Sequence, residues 1–472
     1  MSTEYPASRV EHEGATFWLE KGGAGKELVI NGAGSDVLDA FAGSADGSAF
    51  RAPATPDNAK ALRAALPWLT PRRWGLQTTA GTGDRLGLAT PGHVRAFRDV
   101  SGIGPVFAQQ STREMSRCGR TPRNVLDDAT WGAFEQGWTG GVGADADHQK
   151  TEESLTECAE AGFVFFTLDP GDEMDMAADD DDAATARSKA DALDLSSLDT
   201  SPTDVVARYA GTTVELESGP LLLDEESVVR AVAKAGPALV RGLELIRHVQ
   251  SLGVEHELEF AIDETDKPTT AVEHVVIVKE LQRLGVELVS FAPRWVGQFE
   301  KGVEYIGSLD ALASDFQSHA EVARALGPYK LSLHSGSDKF SIYPLFVQAT
   351  QRVAHLKTAG TSWVEALRVI AKNDPDLLLA ILQLSIASFE ENRHSYHLSC
   401  DPSRIPSNPP KDAMDDLVTA IDSRQVLHVG YGAAISEYGD QINEVLRANE
   451  EELYEVIHQH FVRHLEPFGT RS

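Results

Sequence analysis

Between residues 74 and 360 the chain alternates short apolar runs with amphipathic helical stretches, and this alternation limits the folds open to it more than any other feature. The runs are WGLQTT (74–79), GPVFAQQ (104–110), GWTGGVGAD (137–145), GFVFFTLD (162–169), ELEFAID (257–263), VELVSFAPR (286–294), YKLSLHSG (329–336) and AHLKTAG (354–360). Helical periods such as TPRNVLDDATWGAFEQ and TAVEHVVIVKELQRL separate them. Eight strand–helix repeats close into a parallel barrel more readily than they open into a doubly wound sheet. The expected class is α/β, a (β/α)8 TIM-like barrel over residues 71–362. Catalytic groups of such barrels sit where strands end. Gln109, Asp147, His148, Asp169, Glu259, Arg294, His334 and Lys357 lie at or near those ends.

The flanks read differently. Residues 1–70 combine short strands (ATFWLE, KELVING) with one helix (DNAKALRAALPWL), a small N-terminal α+β cap. Residues 363–472 are largely helical and form a C-terminal extension. Within the barrel, an acidic insertion (172–200) contains Asp172–Asp194, which has no apolar period and is expected to be solvated or disordered. Residues 224–252 follow as one or two helices interrupted at Gly236-Pro237.

Charge then excludes several function classes. Lys+Arg 42 against Asp+Glu 72 gives a net charge of −30, which repels nucleic-acid phosphates and anionic lipid. No apolar run is long enough to span a bilayer, and the N-terminus has neither the basic start nor the apolar core of a signal peptide, so a cytoplasmic location is expected. Cys118, Cys158 and Cys400 are far apart and form no CxxC pair, so a bound metal would draw on His and carboxylates. No G-x-G-x-x-G follows a strand, and no nucleotide cofactor is expected.

Five stretches carry candidate chemistry. Asp145-Ala146-Asp147-His148 ends the third strand and sets an acid/base carboxylate beside an imidazole; the same residues also suit a polar turn with Asp as N-cap. His334-Ser335-Gly336-Ser337 ends the seventh strand, joining a potential ligand to a loop suited to an anionic or polyhydroxylated substrate. Strands three and seven face each other in a barrel, so His148 and His334 can share one cation. Glu257, Glu259 and Asp263 share one face of the fifth strand, where a buried charge needs a partner or a metal, and Glu259 is the chosen functional group. After the sixth strand, Arg294 is a candidate for a substrate carboxylate, while Glu300 or Gln298 would complete a metal shell; Glu300 and Lys301 read equally well as surface charge. On the eighth strand Lys357 at the mouth would bind an anion and His355, lower down, would be structural. Lys339 adds to the cations that favour an anionic substrate. His394 and His397 have metal-like spacing but lie after the barrel.

The runs GADADH, PVFAQQ, FAIDETDKPTT, LGPYKLSLHSGSDKFSIYP and HLKTAGTS resemble the tagaturonate epimerase family, also called tagaturonate/fructuronate epimerases, from about residue 74 to the C-terminal helices. A carboxylate before a histidine on strand three, and a histidine opening a Gly/Ser loop on strand seven, also look like class II metal-dependent aldolases. The resemblance implies a divalent metal, a keto-uronate substrate and epimerisation without a redox cofactor. The Asp-rich insertion departs from the family pattern. On this reading His148 and His334 are metal ligands with Glu300 as third, although Gln298 and His355 stay open for that place. Asp147 and Glu259 are the acid/base pair, and Arg294, Ser335, Lys339 and Lys357 bind substrate. Two imidazoles with one carboxylate suit Mn, Fe, Co, Ni or Zn better than Mg. The alternatives are a class II aldolase that releases its fragments and a non-catalytic barrel subunit; the oligomeric state is not legible.

Overall fold

The computed structural model describes residues 3–22, 25–393, 396, 398–407 and 409–471. Eight parallel strands close a barrel in chain order: β1 Thr79–Thr82, β2 Gly104–Ser111, β3 Gly143–Gln149, β4 Phe165–Leu168, β5 Glu257–Ala261, β6 Ser290–Ala292, β7 Lys330–Leu333 and β8 Ala354–Thr358. Every one falls within or overlaps an apolar run named above. The sixth is shortest, keeping only Ser290–Ala292 of its run.

Strand alternation divides the barrel into two environments. On β3 Ala144 and Ala146 are buried on the helix-facing side, as are Leu258 and Phe260 on β5, Leu331 and Leu333 on β7, and Leu356 on β8. The intervening residues point inward, and they are polar: Asp145, Asp147, Thr167, Glu259, Ser332, His355 and Lys357 are all buried. A barrel interior is usually filled by branched aliphatic side chains. Here hydrogen bonds fill it instead. Parallel register aligns Thr167 with Glu259 and Ser332 with His355, so these groups meet across adjacent strands.

A six-stranded antiparallel sheet (residues 3–53) precedes the barrel. A helix, Pro56–Ala65, follows it, capped by Thr55. The acidic stretch corrects the expectation of disorder. It contains helix α1 (Ala183–Asp191), capped by Asp182, which lays the buried Ala186 and Ala190 against helix α2 (Glu225–Ser251). Several of its acidic residues are paired: Asp175 and Asp181 lie 2.8 and 2.7 Å from Lys189 Nζ, and Asp179 lies 2.9 Å from the buried Lys234. An alanine stripe three or four residues apart lets helices approach closely, but it gives little apolar period to read. Helix α2 also runs unbroken through Pro237 instead of stopping there.

The C-terminal helices close over one side of the barrel. Helix α3 (Glu450–Leu465) packs along Thr90–Asp99, and Thr470–Arg471 pairs antiparallel with Val100–Ser101. No helix among the described residues is long and apolar enough to cross a membrane.

Candidate active site

At the base of the site is one ammonium among three carboxylates. Lys357 Nζ lies 2.9 Å from Asp145, 2.8 Å from Asp147 and 3.0 Å from Glu259. Burial alone would lower its pKa, but the three anions outweigh burial and hold it well above the ordinary lysine value. Burial likewise pushes the Asp145 carboxyl up, yet Lys357 and His355 bring it down to about 2. Asp145 also accepts from Gln109 and Thr167, each at 2.9 Å. Lys357 therefore lines the inner pocket with its charge balanced by three carboxylates, deeper than the anion binder expected at the mouth. His355 sits below, 2.7 Å from Thr79 Oγ1, as a buried structural group.

Above this layer the two histidines meet, with ring centroids 4.9 Å apart. Alternation alone aims Asp147 inward and His148 outward. A register shift between Ala146 and Gln149, with φ +48° at His148, turns both into the mouth. His148 Nδ1 donates to Asp169 at 2.9 Å, leaving Nε2 toward the centre. His334 Nε2 donates to Glu259 at 2.8 Å, leaving Nδ1 toward the centre. Each imidazole is thus oriented by a buried carboxylate behind it, the arrangement common behind metal-binding histidines.

The third group of this cluster is Asp263, not Glu300. His148, Asp263 and His334 offer ligand atoms all within 4.8 Å of one another. Asp263 Oδ1 and His334 Nδ1 are buried 2.8 Å apart, yet neither has an aligned hydrogen-bond partner among the described residues. Asp263 continues the inward face of Glu257, Glu259 and Ala261, the signal by which the sequence could have given it this place. Glu300 instead accepts from Ser399 N, Ser399 Oγ and Gln425 Nε2 at 2.9, 2.7 and 2.8 Å. The loop after β6 folds back on itself through a Gln298–Ile306 bridge and carries Glu300 to the C-terminal helices.

The electrostatics favour a cation at the centre. Burial would lower the His148 pKa, but Asp147, Glu264 and Asp263 raise it well above the ordinary histidine value. At His334 burial is likewise outweighed, first by Asp263, and the pKa rises. Asp147 is raised by burial and lowered by Lys357 and His148, with a net fall that keeps it ionised at neutral pH. Glu259 falls well below its ordinary range because Lys357 and His334 outweigh burial. Both Glu259 oxygens are engaged, Oε1 by Thr167, Lys357 and His334 and Oε2 by Ser332. It stands behind His334 rather than facing the mouth, unlike the acid/base expected from its position.

Two expected substrate binders are also spent. Lys339 is buried and donates to the carbonyls of Glu300, Val303 and Ser337; burial lowers its pKa to about 8. Arg294 reaches the cleft wall but donates to the carbonyls of Thr265, Trp295 and Gly297. Ser335 does face the mouth, with φ +49°. Gly336 N donates to Lys357 O at 3.1 Å, and a Cβ on Gly336 would come within 2.8 Å of Leu333 O, so this tight turn requires glycine. The cleft above has a volume of about 760 Å³ and is walled by Arg113, Lys150, Lys301, Tyr396 and others, a size that accommodates a six-carbon sugar acid. Arg113, Lys301 and Tyr396 were not singled out as site residues from sequence, since each lies in a loop or helix with no period to mark it. His394 and His397 lie outside the described residues.

A second cluster of similar residues, Asp338, His460 and His464, lies between the β7–β8 loop and α3. Its polar atoms are occupied. Asp338 N donates to His464 Nε2 at 3.0 Å, His464 Nδ1 donates to His460 O at 3.0 Å, and His460 Nε2 lies 2.8 Å from Asp338 Oδ1.

The chain is similar to known proteins over nearly its whole length. The family model described as tagaturonate epimerase matches residues 5–468. A tagaturonate/fructuronate epimerase of Thermotoga maritima is 38% identical over 469 residues, covering 98% of this chain and 96% of the relative. The native crystal structure of fructuronate-tagaturonate epimerase from Cohnella laeviribosi superposes with a TM-score of 0.93 at 32% identity, covering 99% of this chain and 96% of that one. A one-glycerol complex of the same enzyme gives the same TM-score and coverage.

Proposed function

The chain belongs to the tagaturonate epimerase family and is an isomerase, and from that premise we propose that it interconverts tagaturonate and fructuronate with a divalent metal by retro-aldol and aldol steps. The observation that carries this reading is the buried pair His334 Nδ1 and Asp263 Oδ1, which meet at 2.8 Å without an aligned hydrogen bond and converge with His148. A buried pair that meets without alignment recovers only part of its desolvation cost, and a cation bound among two imidazoles and a carboxylate would recover the rest. His148, His334 and Asp263 would hold the metal, and the N/O donor set suits Mn, Fe, Co, Ni or Zn. When bound, such a cation polarises the substrate ketone and offsets the negative charge that cleavage places on its oxygen.

The two ketouronates differ at a carbon β to the ketone, whose C–H is not acidified by the carbonyl. Direct deprotonation there is unfavourable. Asp147, held ionised by Lys357, takes the hydroxyl proton from that carbon. The bond between the α and β carbons then breaks. Its electron pair goes to the ketone half as an enediolate, and the β carbon becomes an aldehyde. Rotation presents the other aldehyde face, the bond re-forms, and Asp147 returns the proton. Asp169 and Glu259 act as positioning residues, fixing which nitrogen of each histidine faces the centre.

Substrate deuterated at the epimerised carbon tests the reading. Metal-loaded protein should convert tagaturonate to fructuronate with the label retained in ordinary water and without added nicotinamide. Loss of label at the epimerisation rate would defeat the carbon–carbon cleavage route, and net release of fragments would make the protein an aldolase.

A further inference from the structure

The cleft wall is rich in cations for a chain of net charge −30, and nearly all of them are already committed. Arg113 pairs with Glu264 at 2.7 Å, Lys150 with Asp172 at 2.7 Å and Arg393 with Glu390 at 3.5 Å. Arg294 is tied back by three carbonyls, one from each of its nitrogens, as described above. Lys301 differs. Its Nζ donates to Ser335 Oγ at 2.8 Å, and no carboxylate among the described residues pairs with it at close range, Glu264 feeling its charge only from farther off. An ammonium has three donors, so two remain for a ligand. The backbone beneath it is pinned from the C-terminal helices: Gln425 Nε2 donates to Lys301 O at 3.2 Å and Arg424 Nε to Gly302 O at 2.8 Å. Lys301 borders both the inner pocket, with Asp147 and His334, and the outer cleft, and the Tyr396 ring lies 6.0 Å from its Nζ.

We propose that Lys301, with the Ser335 hydroxyl beside it, is the subsite for the carboxylate end of the substrate and the element that retains the aldehyde half between cleavage and re-addition. This rests on the retro-aldol reading. In a hexulosonate whose ketone and carboxylate lie at opposite ends, cleavage between the carbons α and β to the ketone leaves the carboxylate on the aldehyde half. A cation holding that carboxylate keeps the fragment in the cleft while its aldehyde carbon turns. It also separates an epimerase from an aldolase without changing the groups that break the bond.

Lys301→Met and Lys301→Arg test this, with tagaturonate and the neutral ketose tagatose as paired substrates. Losing one charge-assisted contact should lower kcat/KM for tagaturonate about 10–100-fold, chiefly through KM, and the preference for the acid over the neutral ketose should fall at least tenfold. The methionine variant should also leak the three-carbon hydroxy-aldehyde acid into solution, seen by NMR, and the arginine variant should recover most of the lost preference. An equal fall for both substrates, or an unchanged KM for the acid, overturns the subsite. Calorimetric binding of tagaturonate keeps the two readings apart. Wild-type protein that binds the acid much more tightly than the methionine variant, yet does not epimerise it, would fail the proposed reaction and uphold the subsite; wild type and variant that bind alike would overturn the subsite whatever the turnover.

Discussion

Two clusters in this protein draw on the same residue types, and they differ in what their polar atoms still lack. In the mouth, His148, Asp263 and His334 converge with a buried nitrogen and a buried oxygen that meet at 2.8 Å but form no aligned hydrogen bond among the described residues. Between the β7–β8 loop and α3, Asp338, His460 and His464 also converge, but a backbone N–H and a backbone carbonyl occupy the two nitrogens of His464. The first cluster has capacity for a ligand. The second clamps the C-terminal helices to the barrel. Donor identity and spacing alone do not separate a site from a strut; the count of satisfied atoms does.

The largest expected effects would break the comparison if they fell on the wrong cluster. His148→Ala and His334→Ala should each lose bound metal and bring turnover to the detection limit while circular dichroism stays native-like, because strand-end groups add little to the barrel core. Chelation should abolish activity and a divalent transition metal should restore it. His464→Ala should keep its metal, measured by elemental analysis. Metal loss there, with metal retained in His334→Ala, would reverse the assignment.

Asp147→Asn should retain metal but slow turnover roughly 10²–10⁴-fold, the usual contribution of one positioned base. Wild-type rates would move the base elsewhere. Lys357→Met attacks the layer below. It leaves Asp145, Asp147 and Glu259 facing one another without their counter-ion, a change of about 3–5 kcal/mol in denaturant unfolding. Unchanged stability would show that water or protonation compensates for the loss.

The smallest effect sharpens the contrast through pH. Burial, with His460 and despite Asp338, lowers the His464 pKa to about 3. The unfolded imidazole titrates near 6.5, so unfolding takes up a proton below that value. The contribution is fully present above pH 6.5 and is lost as pH falls toward 3, amounting to on the order of 2–4 kcal/mol by pH 4. His464→Gln should flatten the acid limb of the stability curve between pH 6.5 and 4. An unchanged slope would place the titration elsewhere.

The sequence by itself determined the order of the eight strands and the inward direction of Asp145, Asp147, Glu259, His334 and Lys357, because alternation is a local property of an extended chain. It also placed His148 and His334 on facing strands. Other features are collective, and only the tertiary structure decided them. A bulge turned His148 into the mouth, a folded-back loop sent Glu300 to Ser399 and Gln425, and three carboxylates claimed Lys357 from the interior. Two helices packed through alanine ordered a segment whose acidic composition read as solvated. Lys301, read equally well as surface charge, became a cation of the cleft with no close carboxylate among the described residues, its Nζ donating to the Ser335 hydroxyl. Which polar groups a fold satisfies, and which it leaves for a ligand, depends on atoms brought together from distant strands, and no local period records that.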